Sequence, residues 1–130
     1  MKVITALSRK GGSGKTMLMR SLASAAIANG KRTVIIDADP QKAMSRWRNR
    51  LDYKNDLLTV RELDEPSGLE NMLDEADGKI DYVFIDTLGA GGMWADILVE
   101  QSDHLICPMM PTETDLEITK DTFNLKQPPK

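Results

Sequence analysis

The chain has 130 residues, a length for one domain, and a net charge of −3 at pH 7, so as a whole it is not a basic nucleic-acid binder. Its 41% apolar content suits a globular core, while its one cysteine, Cys107, excludes a disulfide framework or a cysteine-rich metal site within a single chain. No apolar run approaches the ~20 residues needed to span a bilayer, and the opening residues lack the apolar core and cleavage site of a signal peptide, so the cytoplasm is the expected compartment.

Short apolar runs alternate with helix-period segments, the pattern of an α/β fold with a mainly parallel sheet flanked by helices. A first strand is expected over about Val3 to Ser8. A glycine-rich turn follows, then a helix from Met17 to Ala28 that Asn29-Gly30 would close. Ala23, Ala25, Ala26 and Ala28 would let this helix approach a sheet closely. A second strand, Thr33 to Ile36, runs into Asp37-Ala38-Asp39-Pro40, and a polar helix follows over about Gln41 to Leu51. Leu57 to Val60 reads as a short strand. Ser67-Gly68-Leu69-Glu70 has the form of a capping box. Leu69, Met72, Leu73 and Ala76 continue at helical spacing until Gly78. Tyr82 to Ile85 reads as a buried strand ending at Asp86. The loop Leu88 to Gly92 leads to a helix carrying Ile97 and Leu98. Leu105 to Cys107 is a further strand, closed by Pro108 and Pro111, and Thr112 to Leu125 reads as a last helix. The domain is thus expected over 1–125, with 126–130 a disordered tail.

The most specific signal is Lys10-Gly11-Gly12-Ser13-Gly14-Lys15-Thr16, set between a strand and a helix. Glycines let the backbone curl and direct several N–H groups at one anion, and the start of the next helix adds partial positive charge. Lys15 is suited to the β/γ-phosphates and the Thr16 hydroxyl to a magnesium ion. The ordinary phosphate-loop pattern needs a glycine where Arg9 stands; what stands here is K-G-G-x-G-K-T, with an extra lysine, Lys10. A glycine-rich hairpin with incidental lysines is the plain alternative.

In open parallel sheets ligands bind beyond the carboxyl ends of the strands, where three acids are expected. Asp86 ends an apolar strand and can orient waters around magnesium, which keeps much of its water shell. Asp37 and Asp39 follow the second strand two residues apart. Two carboxylates beside a triphosphate repel it unless a cation intervenes, so they point to the metal or to an attacking water. Strand caps and an acidic turn before Pro40 are the plain readings.

The loop Lys10 to Thr16 resembles the deviant Walker A motif of the ParA/MinD family of ATPases. Asp37-Ala38-Asp39-Pro40-Gln41 is similar to that family's D-x-D-P-Q segment, and Ile85-Asp86-Thr87 to its I-D-T Walker B segment. The resemblance runs from Met1 to about Asp121. It implies a Rossmann-like three-layer P-loop NTPase fold and a magnesium-dependent ATPase with ATP held by Lys10 through Met17. Magnesium would lie near Thr16, Asp37 and Asp86. Lys10, Lys15 and Asp39 would act in catalysis, Asp39 on the attacking water and Lys10 across the interface of an ATP-dependent homodimer. The implied role is plasmid or chromosome partition, with a partner protein that stimulates hydrolysis. The chain departs from the family in having Leu88-Gly89 where two prolines are common, and in its length, which makes it read as incomplete at the C-terminal end or as a short relative.

Arg46-Trp47-Arg48-Asn49-Arg50 can be read as a nucleic-acid contact, but a solvated helix face with one anchoring tryptophan is the favoured reading. The same segment is similar to ParA-like proteins of conjugative or T-DNA transfer. An iron–sulfur carrier would need cysteine pairs, and a membrane-surface switch an amphipathic terminal helix that the tail does not offer. A nucleotide-binding scaffold without turnover stays open. His104 and Cys107 read as structural.

Overall fold

The computed structural model describes residues 1–6, 14–50, 55–87 and 93–108. Lys10 to Ser13, the loop Leu88 to Gly92 and the expected helix Thr112 to Leu125 lie outside these residues. Five strands make one sheet: β1 (Lys2–Ala6), β2 (Thr33–Asp37), β3 (Leu58–Glu62), β4 (Tyr82–Asp86) and β5 (His104–Ile106). Their order is β3-β2-β4-β1-β5, and every neighbouring pair is parallel. Between them run α1 (Lys15–Ala28), α2 (Ala43–Arg50), α3 (Leu69–Ala76) and α4 (Met93–Gln101).

The central strands form because their runs are apolar on both faces. All five residues of β2 are buried, as are the last four of β4, which is the signature of a parallel strand covered on both sides. Alternate side chains divide between two cores. Ile35 and Phe84 pack with Met19, Ala23 and Ile27 of α1 and Met44 of α2. Val34, Ile36, Val83 and Ile85 pack with Leu69 and Leu73 of α3 and Ala95 and Leu98 of α4. The result is the expected three layers, with α1 and α2 on one face and α3 and α4 on the other.

Element ends differ from expectation in instructive ways. The helix α1 starts at Lys15 rather than Met17, directly after Gly14, whose φ of 88° turns the chain into it. It closes as expected: the Asn29 backbone caps it and Gly30 adopts φ 74°. Strand β2 runs one residue further than expected, to Asp37, and Asp39 lies beyond it. The capping box at Ser67 does not form. Pro66 starts the winding early, as a single 3₁₀ turn over Pro66–Gly68 that runs into α3. Ser67 lies within that turn, and Gly68, the residue before α3, offers no side-chain cap. Gly68 also lies so close to Leu63 that an added Cβ would stand 2.9 Å from the Leu63 Cδ1.

Register sets up the site. Asp37 and Asp86, the last residues of β2 and β4, are direct partners across the sheet. The Ala38 amide donates to the Asp86 carbonyl at 2.9 Å, and the Leu63 amide to the Asp37 carbonyl at 3.0 Å. Two carboxylates therefore stand side by side at the carboxyl edge, on the face that α1 covers.

Candidate functional site

A cleft of about 400 Å³ opens at this edge. Gly14, Lys15, Thr16 and Met17 line it from the first turn of α1. The β2–α2 turn contributes Asp39, Gln41 and Ala43, and the end of β4 contributes Thr87. It occupies the position where ligands of open parallel sheets bind, with a helix N-terminus directed at it.

Each acid is held differently. Asp37 is fully buried and both of its oxygens are engaged. Its Oδ1 accepts the Asp39 amide at 3.2 Å, and its Oδ2 accepts the Ser45 amide at 3.0 Å and the Ser45 hydroxyl at 3.2 Å. This carboxylate thereby ties the first turn of α2 to the end of β2. Asp39, 5% exposed, faces the cleft. Its Oδ1 accepts the Gln41 amide at 2.8 Å, and its carbonyl accepts the Lys42 amide at 2.9 Å, which folds the turn tightly. Lys42 sits at φ 54°, a left-handed conformation uncommon outside glycine. Its Nζ donates to Asp64 at 2.8 Å and to the Asp37 carbonyl at 3.4 Å.

Asp86 is fully buried, and its Oδ2 accepts the Thr16 hydroxyl at 2.9 Å. Among the described residues its Oδ1 has no hydrogen-bond partner, and neither does the buried Thr87 hydroxyl beside it in sequence. Burial pushes the Asp86 carboxyl up to about 6, with Asp37 and Asp39 adding repulsion and the Thr16 hydrogen bond and Lys15 opposing it. Lys15, 5% exposed, is pulled below the ordinary lysine value by burial, while Asp86 and Asp39 hold its charge in place.

The described residues thus bring together Gly14, Lys15, Thr16, Met17, Asp37, Asp39 and Asp86. Lys10, Gly11, Gly12 and Ser13 lie outside them. Sequence reasoning did not single out Thr87, Gln41 or Ser45 for the site. Thr87 was legible as the last residue of the I-D-T segment, with no role of its own, and Ser45 only as a polar residue in the helix after the acidic turn.

The remaining features are not among the described residues that line the cleft. Trp47 is partly buried against the α1–α2 core, with the Arg20 guanidinium 5.8 Å from the ring centroid. Arg46 and Arg50 are exposed. His104 is exposed on β5, and Cys107 is half-buried, its thiol pushed up by burial. A groove of about 330 Å³ beneath α3 lies on the opposite face of the sheet, floored by Val34, Ile36 and Val83. Among the described residues no helix is long and apolar enough to cross a membrane, and no group of three or more His, Cys, Asp or Glu residues could hold a metal unaided.

Comparison with known proteins agrees with this architecture. The fold is that of the ParA/MinD P-loop proteins. A MinD complexed with Mg-ADP from Pyrococcus horikoshii superimposes with a TM-score of 0.78 at 19% identity, over 96% of this chain and 65% of that one. The pNOB8 ParA bound to nonspecific DNA gives 0.77 at 23% identity, over 95% and 58%. A Cyanothece McdA(D38A)–ATP complex gives 0.78 at 16%, over 96% and 62%. In sequence, protein virC1 of Rhizobium radiobacter is 32% identical and that of Rhizobium rhizogenes 30%, each over 95% of this chain and 55% of the relative. The ParA of Rhizobium radiobacter is 24% identical over 96% of this chain and 56% of its own length. The chain therefore spans about half the length of these relatives. The VirC1 protein family model matches residues 1–127, nearly the whole sequence, and the chain belongs to that family.

Proposed function

We propose that this chain binds ATP with magnesium in the cleft and hydrolyses it, slowly unless a partner protein stimulates it. On this reading it is a nucleotide-switched dimer that positions DNA, as in plasmid or chromosome partition. The observation that supports this most is one convergence. A buried lysine, a hydroxyl bonded to a buried aspartate and a second aspartate meet at the N-terminus of the helix after the glycine-rich loop.

The residues present fit magnesium. Thr16 and Asp86 are hard oxygen donors, and the Asp86 Oδ1 is left without a partner. The described site has too few ligands to hold a metal alone, which suits an ion that arrives with phosphate oxygens and keeps its waters. Once bound, magnesium would neutralise charge on those oxygens. Lys15 would place a point charge against the terminal phosphates. Asp39 would align the attacking water, held at its angle by Gln41. Asp37, its oxygens taken by Ser45 and the Asp39 amide, would serve through its charge and by fixing that turn. Lys10, from the second subunit, would stabilise the transferring group. Phosphoryl transfer depends mainly on positioning and electrostatics, and these are the parts that turnover would use.

Titration calorimetry with Mg-ATP and a phosphate-release assay test the reading. Lys15→Ala should weaken binding at least about 100-fold. Asp39→Ala should bind within about threefold of the parent and lose turnover by about 100-fold or more. Absence of binding heat from any purine triphosphate, on well-folded chain, would overturn it. Binding without turnover by the parent chain would favour a scaffold instead. The resemblance of segment 46–50 to transfer-system proteins supports a second setting for the same switch, in conjugative or T-DNA transfer.

A further inference from the structure

The geometry points to Thr87 as a residue that contacts the terminal phosphate of the bound nucleotide and so lets the site distinguish a triphosphate from a diphosphate. This rests on the phosphate-site reading above. Thr87 is 4% exposed, yet its hydroxyl has no hydrogen-bond partner among the described residues. Buried hydroxyls are nearly always paired, so an orphan one calls for an explanation. The hydroxyl belongs to a residue that lines the cleft together with Lys15, Thr16 and Asp39. Its neighbour Asp86 carries the other orphan oxygen of this edge. The two differ in kind. The Asp86 oxygen, when ionised, only accepts, and suits water or a cation; the Thr87 hydroxyl can also donate, and suits an anionic oxygen.

Position selects which phosphate. Gly14 precedes α1, and in a loop of this kind the backbone leading into the helix cradles the inner phosphates, while the lysine reaches further out. Thr87 instead directly follows β4, the strand between β1 and β2, and shares the cleft with Asp39 from the β2–α2 turn. It therefore belongs with the far end of the phosphate chain, where Asp39 would hold the water. A donor there has a partner only when the third phosphate is present.

Equilibrium binding of Mg-ATP and Mg-ADP by calorimetry tests this, with Thr87→Val and Thr87→Ser variants of the chain. Valine keeps the shape and removes the hydroxyl; serine keeps the hydroxyl. The valine variant should melt no lower than the parent without nucleotide, because the hydroxyl has no partner to lose there. It should bind Mg-ATP about tenfold more weakly while Mg-ADP changes less than about twofold. Serine should restore Mg-ATP binding to within about threefold of the parent. Equal losses for both nucleotides, or none for either, would overturn the assignment while leaving the phosphate site standing. A parent chain that binds neither nucleotide would overturn the site and the assignment together. Should the valine variant fold poorly, loss of Mg-ATP selectivity in the serine variant would still count against the hydroxyl's role.

Discussion

Asp86 shows how much one buried group governs. It is taken out of water beside two other carboxylates, and its hydrogen bond from Thr16 and the charge of Lys15 do not fully offset that. With the folded carboxyl at about 6 and the ordinary value at 3.8, the folded chain holds a proton that the unfolded chain releases across this window. Stability from this group is therefore complete below the ordinary value and is lost as pH rises through about 6. Removing the charge should reverse that loss. Without nucleotide, Asp86→Asn should be about 1–3 kcal/mol more stable than the parent near pH 7.5, and the gap should close below about pH 4, as urea unfolding at both pH values would record. The same variant should lose its dependence on magnesium for ATP binding. An asparagine variant that is less stable than the parent at the higher pH would show that Asp86 is already paired in the free chain.

Among the described elements, the turn between β2 and α2 holds the one non-glycine residue with a left-handed backbone, Lys42. Asp37 fixes it from the strand side, Lys42 accepts a left-handed backbone, and Lys42 then reaches Asp64 beyond β3. The entry to α3 is organised differently, and it separates a sequence pattern from its physical realisation. A working N-cap serine contributes about 1 kcal/mol, so a true capping box predicts that much loss on removal. Because Ser67 is wound into the 3₁₀ turn and exposed, Ser67→Ala should instead change stability by less than about 0.5 kcal/mol, measured by chemical denaturation. A loss near the full cap value would show that the box forms in solution. The two cases explain what was legible. Strands β2 and β4 could be read because continuous burial writes itself as an apolar run, and Gly30 and Gly78 because only a positive φ needs them. Asp39, Asp86 and Lys15 were legible because their chemistry is confined to strand ends and the loop. The occupied state of Asp37, the reach of Lys42 and the orphan Thr87 hydroxyl were not, since each depends on a partner far away in sequence or on none at all.

At the scale of the molecule, the charge of the described part of the site is compatible with the proposed second subunit. Asp86 feels Asp37 and Asp39 as repulsion and Lys15 as attraction, so the described part of the site is acidic before any phosphate enters. A triphosphate would add more negative charge, and Lys15 is the one lysine among the described residues that line the cleft. Among the described residues that line the cleft, Met17 on the α1 side is 67% exposed, and phosphoryl transfer works best with bulk water kept out. A copy of the chain laid over that mouth would supply both a cover and a cation, and Lys10 is the cation proposed for it. In sedimentation velocity the parent chain should run at its 14.5 kDa mass alone and at about twice that with magnesium and a slowly hydrolysed ATP analogue. Lys10→Ala should stay at the single mass while binding the analogue within about threefold, because its charge serves the neighbour's nucleotide rather than its own. A Lys10→Ala chain that pairs as the parent does would leave the interface without its proposed cation; a parent that never pairs would leave the open cleft to be closed by residues of this chain itself.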